Sequence, residues 1–362
     1  MRLLQQQLLD WFAVQCRDLP WRESYIPYHI WISEVMLQQT QMERGVVYFQ
    51  RWLQRFPDIA QLAQADEEEV LLLWEGLGYY SRARNILKTA RLLMADHGGR
   101  LPADHQALRK LPGIGPYTAG AIMSLAFNQP YPVVDANVER LFARLYDIAS
   151  PIKECKELVW QKARDLLPEG EARLFNQALM ELGALVCKPK NPSCGLCPVI
   201  EHCHAHRKGI VDARPVLGKT KKIIPIASAN GVLIRDGKFF IQKRRPQGVW
   251  ANLWEFPGGQ IESDETPEAA VVREFHEETG LAVGKLEKIH AIKHTYTHYR
   301  ITMHCYFVHL LHHHSIEPTL TAAQEYRWAT ADELEGLAFP APHRQLIAQL
   351  LGDPDMQALI VS

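Results

Sequence analysis

Four cysteines within seventeen residues constrain this chain more than any other feature: Cys187, Cys194, Cys197 and Cys203, spaced C-x6-C-x2-C-x5-C. Thiols at that density, in a chain with seven cysteines, point to one soft metal centre rather than to disulfides. A zinc ribbon more often shows two C-x2-C pairs, and here there is one. The scattered Cys16, Cys155 and Cys305 read as small buried hydrophobes. At 362 residues the chain exceeds what a single core usually supports, so two or three domains are expected. With 47% hydrophobic and 22% charged residues it is neither disordered nor fibrous. No apolar run is long enough to span a bilayer and the N-terminus lacks a signal-peptide pattern, so a soluble cytoplasmic protein is expected.

The first two hundred residues read as helical. Leu4, Leu8, Trp11 and Phe12 form a stripe at i, i+4, i+7 and i+8, and Ile30–Tyr48, Val70–Trp74 and Ile86–Met94 carry helical patterns. Pro57, Gly76, Gly78, Gly98-Gly99 and Pro130–Pro132 punctuate them. The basic stretch His204–Lys222, with Gly209, Pro215 and Gly218, reads as a linker. Beyond it lie short β-rich runs at Ile223–Ile226, Gly231–Ile234, Phe239–Gln242 and Ile301–Leu310, with helices over Pro267–Thr279 and Pro342–Leu351. That is an α/β or α+β domain of roughly 125 residues. His312-His313-His314 reads as a solvated turn.

The net charge of −1 says nothing about a nucleic-acid partner, but local charge does. Between Tyr79 and Lys110, Arg82, Arg84, Lys88, Arg91, Arg100, Arg109 and Lys110 face only Asp96 and Asp104. Arg207, Lys208, Arg214, Lys219, Lys221 and Lys222 make a second basic stretch. Both suit phosphate contact, and both also suit a solvated face.

Four motifs besides the cysteines carry chemistry. In Leu111-Pro-Gly-Ile-Gly-Pro-Tyr-Thr-Ala-Gly-Ala121, Gly113 and Gly115 form a tight hairpin whose amides can approach a phosphate, or else simply join two packed helices. Asp135 follows two β-branched residues, where an acid is either an N-cap or a functional carboxylate. Glu34, within Trp31-Ile-Ser-Glu-Val-Met-Leu-Gln-Gln-Thr40, has surroundings apolar enough to raise its pKa and favour acid chemistry. In the second half, Gly259-x5-Glu265-x7-Arg273-Glu274-Phe275-x-Glu277-Glu278-x-Gly280-Leu281 is a complete Nudix box. It places Glu274, Glu277 and Glu278 on one helix face, able to hold Mg²⁺ against a diphosphate or to be solvated or paired with Arg273.

These strings, with Trp74-Glu-Gly-Leu-Gly-Tyr-Tyr-Ser-Arg-Ala-Arg-Asn85 and Phe175-Asn-Gln-Ala-Leu-Met-Glu-Leu-Gly-Ala184, resemble MutY-type adenine DNA glycosylases of the helix-hairpin-helix superfamily over nearly the full chain. The resemblance implies a multidomain protein. An all-α helix-hairpin-helix glycosylase domain spans 1–206, its six-helix part at about 22–133, with terminal helices and a 4Fe–4S cluster loop at 187–203. A linker at 207–222 leads to an α/β Nudix-like domain at 223–362 that recognises 8-oxoguanine. Cys187, Cys194, Cys197 and Cys203 would hold the cluster.

The same resemblance makes Glu34 the acid that protonates adenine and Asp135 the carboxylate that stabilises or transiently captures C1′. Asn137 and Tyr117 line the active site. Gln39 and Tyr79 wedge into the base stack, Thr40 touches the oxidised guanine, and Gly113 and Gly115 grip the backbone. Thr297, in His294-Thr-Tyr-Thr-His298, supplies a hydroxyl to 8-oxoguanine. Bifunctional cousins carry a nucleophilic lysine where this chain has Tyr117, so a monofunctional enzyme is expected. The implied partner is double-stranded DNA with A:8-oxoguanine or A:G mispairs, bound by a monomer acting at the nucleoid. The whole Nudix box departs from the family, whose Nudix-like domain has usually lost much of it. Excision of another base, a nucleotide hydrolase with a DNA-binding module, and a non-enzymatic scaffold are the competing readings. Glu34 weighs against another base such as thymine, where protonation at N7 has no counterpart. A nucleotide hydrolase leaves the catalytic string of the first domain unexplained, and a scaffold would not need Glu34 and Asp135 together.

Overall fold

A computed structural model describes residues 2–218, 222–311 and 317–354. The histidine run at 312–314, Lys219 and Lys221 lie outside them. The chain divides into two compact units, Met1–Gln64 with Asn85–Thr220, and Ala65–Arg84 with Lys221–Ser362. Among the described residues no helix is long and apolar enough to cross a membrane.

The helices run in chain order. Helix α1 (Arg2–Gln15) buries Leu4, Leu8 and Phe12, as the stripe predicts, and leaves Trp11 partly exposed. Pro27 opens α2 (Pro27–Met36), which is buried all round from Ile30 to Met36. The Ile30–Tyr48 pattern reads as continuous helix, but the structure breaks it after Met36 and restarts α3 at Met42–Arg55. Gln39 sits between them at φ 59°, a left-handed turn that periodicity does not announce. Next come α4 (Ile59–Gln64), α5 (Glu67–Trp74), whose first turn is acidic, and α6 (Ser81–Asp96).

Asp104 caps α7 (His105–Lys110) by accepting from the Ala107 amide, and Pro116 opens α8 (Pro116–Ala121), which continues as a wider turn at Ile122–Ala126. Asp135 caps α9 (Ala136–Leu145). Helices α10 (Lys156–Leu166) and α11 (Ala172–Leu185) close one core with α1 and α9 around Phe142, Phe175 and Leu182. The expected linker begins as folded chain: α12 (His204–Arg207) is followed by Arg214 and Lys208, both paired with Asp147.

The second unit is a mixed sheet. Strand β1 (Ile224–Arg235) merges two of the expected runs and turns at Asp236-Gly237, both at positive φ, into antiparallel β2 (Lys238–Arg244). Short β3 (Trp254–Glu255) pairs with β2 and β4 (Gly258–Gln260) with β1. Helix α13 (Pro267–Thr279) matches its predicted span, with Thr266 as N-cap and Gly280 at φ 70° as C-cap. Strand β5 (Val283–Tyr296) pairs with β6 (Tyr299–Leu310), which runs parallel to β1. The sequence reading missed β5, because two bulges interrupt its alternation. Strand β7 (Ala323–Ala329) pairs with β2, and α14 (Ala331–Glu335) and α15 (Ala341–Gly352) complete the unit.

Residues 65–84 join this unit through bonds invisible to local pattern. Glu75 accepts from Arg344 and from the Phe339 amide, Glu68 from the Trp254 indole at 2.6 Å, and the Tyr80 hydroxyl donates to the Phe339 carbonyl at 3.1 Å.

Candidate active site

Helices α2, α8, α9 and α11 surround a cleft of about 650 Å³ in the first unit. Glu34 enters it from α2, only 6% exposed, and accepts a hydrogen bond from the Tyr117 hydroxyl of α8 at 2.8 Å. Burial raises Glu34 to about 7; the Tyr117 bond opposes this, the Asp135 charge adds to it, and Arg22 opposes it. Burial and the neighbouring carboxylates hold the Tyr117 phenol well above its ordinary range, so it stays a donor.

Asp135 caps α9 and also lines the cleft. Its Oδ1 accepts from the Val138 amide and its Oδ2 from Asn137 Nδ2, each at 2.8 Å. Burial lifts its pKa while these bonds lower it. Asn137 Oδ1 in turn accepts from Arg140 at 2.8 Å, and Arg140 Nε donates to the Cys187 carbonyl at 2.8 Å. One line of hydrogen bonds thus runs from the cysteine loop to the Asp135 carboxylate. The line needs α11 close to α9: a Cβ on Gly183 would lie 2.7 Å from Asn137 Cβ.

Gln39 and Thr40 line the same cleft from the turn after α2. Gly113, at φ 76°, needs glycine for its backbone and its fit against Asn85, while Gly115 has open space beside it, leaving backbone that a phosphate can approach. Tyr79 and Thr297 belong to the second unit. The Tyr79 ring lies 5.4 Å from that of Tyr296, next to Thr297, whose hydroxyl is exposed in the β5–β6 turn.

Sequence reasoning missed a cluster on the cleft wall. Glu181, 1% exposed on α11, accepts from Arg17 at 2.9 and 2.6 Å and from Arg22 at 3.2 and 3.4 Å. Burial alone would raise Glu181, but the two guanidiniums outweigh it and hold the carboxyl down at about 2. An acid among the otherwise apolar residues 178–185 was the available signal.

The four cysteines of the loop line one cavity with Arg144, Val199 and Val211. Among the described residues no three histidine, cysteine or acidic side chains converge closely enough for a single ion. Thiols spaced around a shared cavity suit a polynuclear centre rather than one zinc. Burial pushes the Cys197 thiol up to about 11 and the Cys194 and Cys203 thiols upward as well, so a bound metal's positive charge would favour their thiolates. Arg144, buried at 2% exposure, donates to Cys187 Sγ at 3.3 Å and to the carbonyls of Lys188 and Val211 at 2.7 and 3.1 Å. It would compensate the negative charge of a thiolate-bound cluster. When bound, the cluster would tie the four thiolates into one node.

In the Nudix box, Arg273 binds Glu265 at 2.8 Å, Glu274 at 3.0 Å and Glu277 at 3.1 Å. Glu278 accepts from Gln242 at 2.7 Å and the Gly258 amide at 2.9 Å, and burial raises it to about 7. The acids are thus largely engaged inside the unit. Incubating the protein with 8-oxo-dGTP and Mg²⁺ should release no monophosphate; release abolished by Glu277→Gln would show a working hydrolase.

Residues 32–168 match the HhH-GPD superfamily base excision DNA repair proteins, 187–203 the iron–sulfur binding domain of endonuclease III, and 229–349 the NUDIX domain. The adenine DNA glycosylase of Buchnera aphidicola from Schizaphis graminum is 38% identical over 70% of this chain and 74% of its own. The human adenine DNA glycosylase is 33% identical over 91% of this chain and 71% of its own. Among solved structures, a thermostable thymine-DNA glycosylase has a TM-score of 0.53 at 29% identity, covering 57% of this chain and 96% of that one. A non-covalent endonuclease III–DNA complex has a TM-score of 0.50 at 25% identity, covering 58% and 96%. With its glycosylase fold, its four-cysteine iron–sulfur loop and its NUDIX domain, the chain belongs to the adenine DNA glycosylase family.

Proposed function

We propose that this chain excises adenine paired with 8-oxoguanine or guanine and leaves an abasic site. The observation that carries the proposal is a buried carboxyl near neutrality, Glu34, bonded to Tyr117 and sharing one cleft with Asp135. Adenine is a poor leaving group until a ring nitrogen is protonated, and a carboxyl titrating near 7 holds a proton at working pH. As the glycosidic bond breaks, its electron pair leaves with the protonated base and C1′ gains positive charge, which the Asp135 carboxylate stabilises. Water then attacks C1′, its oxygen forming the new bond and its displaced proton returning to the Glu34 carboxylate. The base must leave the stack to reach the cleft, and Gln39 and Tyr79 are the proposed wedges, with Thr40 against the opposite base.

Gly113 and Gly115 are proposed to hold the phosphate backbone, and Thr297 to hydrogen-bond 8-oxoguanine beside the Tyr79–Tyr296 ring pair. The second unit acts here as a lesion reader. The extents 1–206, 207–222 and 223–362 remain the proposed functional division. Action as a monomer on nucleoid DNA in the cytoplasm is part of the same proposal.

Tyr117 stands where a Schiff-base lysine would be needed, and a phenol forms no imine. Single-turnover assays on A:8-oxoguanine, A:G and T:G duplexes test these points together. Excision should be fastest on the first, slower on the second and absent on T:G, with no adduct trapped by borohydride. Thymine release, or a stoichiometric trapped adduct, would overturn the proposal.

A further inference from the structure

The loop that delivers Asp135 has little backbone bonding of its own. Pro130 and Pro132 carry no N–H, and the Tyr131 amide donates to the Gln129 carbonyl at 2.7 Å. The Val133 amide, two residues before Asp135 and fully buried, donates at 3.0 Å to the side chain of Asn176 on α11. Asn176 Nδ2 donates back to the Tyr131 carbonyl at 2.9 Å and to Ser124 Oγ at 2.6 Å. Asn176 is itself 1% exposed, so water offers no substitute partner.

One side chain therefore grips the extended loop as a neighbouring strand would, accepting from one residue and donating to another two positions away. Downstream, the first turn of α9 fixes the Asp135 carboxylate through the Val138 amide. Upstream, Asn176 bonds the loop on both sides of Pro132. We propose that Asn176 is a positioning residue for glycosidic-bond cleavage, setting where the Asp135 carboxylate stands relative to C1′. The proposal rests on the reading of Asp135 as the carboxylate at C1′. A misplacement of about 1 Å at a reacting group can cost on the order of 100-fold in rate, while the DNA-binding surfaces are untouched.

The test measures single-turnover adenine excision and, separately, affinity for a duplex carrying a non-excisable 2′-fluoro adenine nucleotide. Asn176→Leu, similar in size, should lower the excision rate by about 30- to 100-fold, with affinity within about threefold and the visible cluster absorption kept. Ser124→Ala, which removes a partner of Asn176 but leaves the loop bonds, should stay close to wild type. Asn176→Asp supplies a readout that does not depend on how well the leucine variant folds. Its protonated carboxyl restores the acceptor and donor pair, whereas its ionised form repels the Tyr131 carbonyl. Its rate relative to wild type should therefore climb as pH falls.

The proposal is overturned if folded Asn176→Leu excises at the wild-type rate, if rate and affinity fall together, or if the Asn176→Asp ratio is independent of pH. Asp135→Asn, run alongside, separates the two claims. Excision retained there would sink the reading of Asp135 itself, whereas excision lost there but kept in both Asn176 variants would sink only the positioning role.

Discussion

Replacing Glu34 by glutamine should abolish most excision while making the protein more stable. The amide would keep the shape and a hydrogen bond to Tyr117 but would have no acidic proton to give. Loss of a positioned general acid typically costs about 10²- to 10⁴-fold in rate. Binding to an A:8-oxoguanine duplex should persist, because the hairpin at Gly113 and Gly115, proposed to hold the phosphate backbone, is untouched. The stability gain follows from the direction of the shift. Glu34 has its folded pKa raised from 4.5 to about 7, so folding loses stability as pH rises through that window. Glutamine has no such loss. The difference between variant and wild type should be small below pH 4.5 and grow to about 3 kcal/mol above pH 7. Thermal melts across pH 4–8 with duplex-binding measurements check this. A variant that is less stable at pH 8, or that excises normally, would contradict the assignment.

Substituting Glu181 should have the opposite effect on stability and be as large. Glu181→Leu strands Arg17 and Arg22, whose side chains are 29% and 13% exposed, against an apolar residue. Removing one partner of a buried ion pair commonly costs about 3–5 kcal/mol. The partial exposure of Arg17 and Arg22 places the expectation at the lower end, about 3 kcal/mol. The Glu181 pKa is depressed from 4.5 to about 2, so its contribution is fully present above pH 4.5 and is lost as pH falls toward 2. The gap between wild type and variant should therefore be flat from pH 6 to 8 and close in acid. Denaturant melts that show less than about 1 kcal/mol at pH 7 would mean the triad is not a stabilising unit. Excision should change as well. Arg22, freed from its counter-charge, would pull Glu34 further down and shift the loss of acid catalysis to lower pH.

What the residues announced and what they hid divides along one physical line. Glu34, Asp135 and the four cysteines lie in short strings whose chemistry is local: an acid among apolar neighbours, an N-cap, thiols at ligand spacing. Helix α13 was legible to the residue because Thr266, Pro267 and Gly280 mark both ends. The Arg17–Glu181 pair joins residues 164 positions apart, and no local period reports such a pairing. The same is true of Asn176, legible as part of a string but not as the partner of Val133. Strand β5 was hidden by its bulges, and the turn at Gln39 by a positive φ that a non-glycine residue rarely adopts. Residues 65–84 looked like one more helical segment, and only Glu68, Glu75 and Tyr80 reveal which unit they pack into.

The claim at the centre is that a buried carboxyl titrating near neutrality delivers the proton that releases adenine. Single-turnover excision by the wild-type protein, followed from pH 5 to 9 on an A:8-oxoguanine duplex, measures it most directly. The rate should hold on the acid side and fall tenfold per pH unit above a midpoint near 7, where Glu34 loses its proton. A rate that is flat through this range, or that rises with pH, would contradict the account.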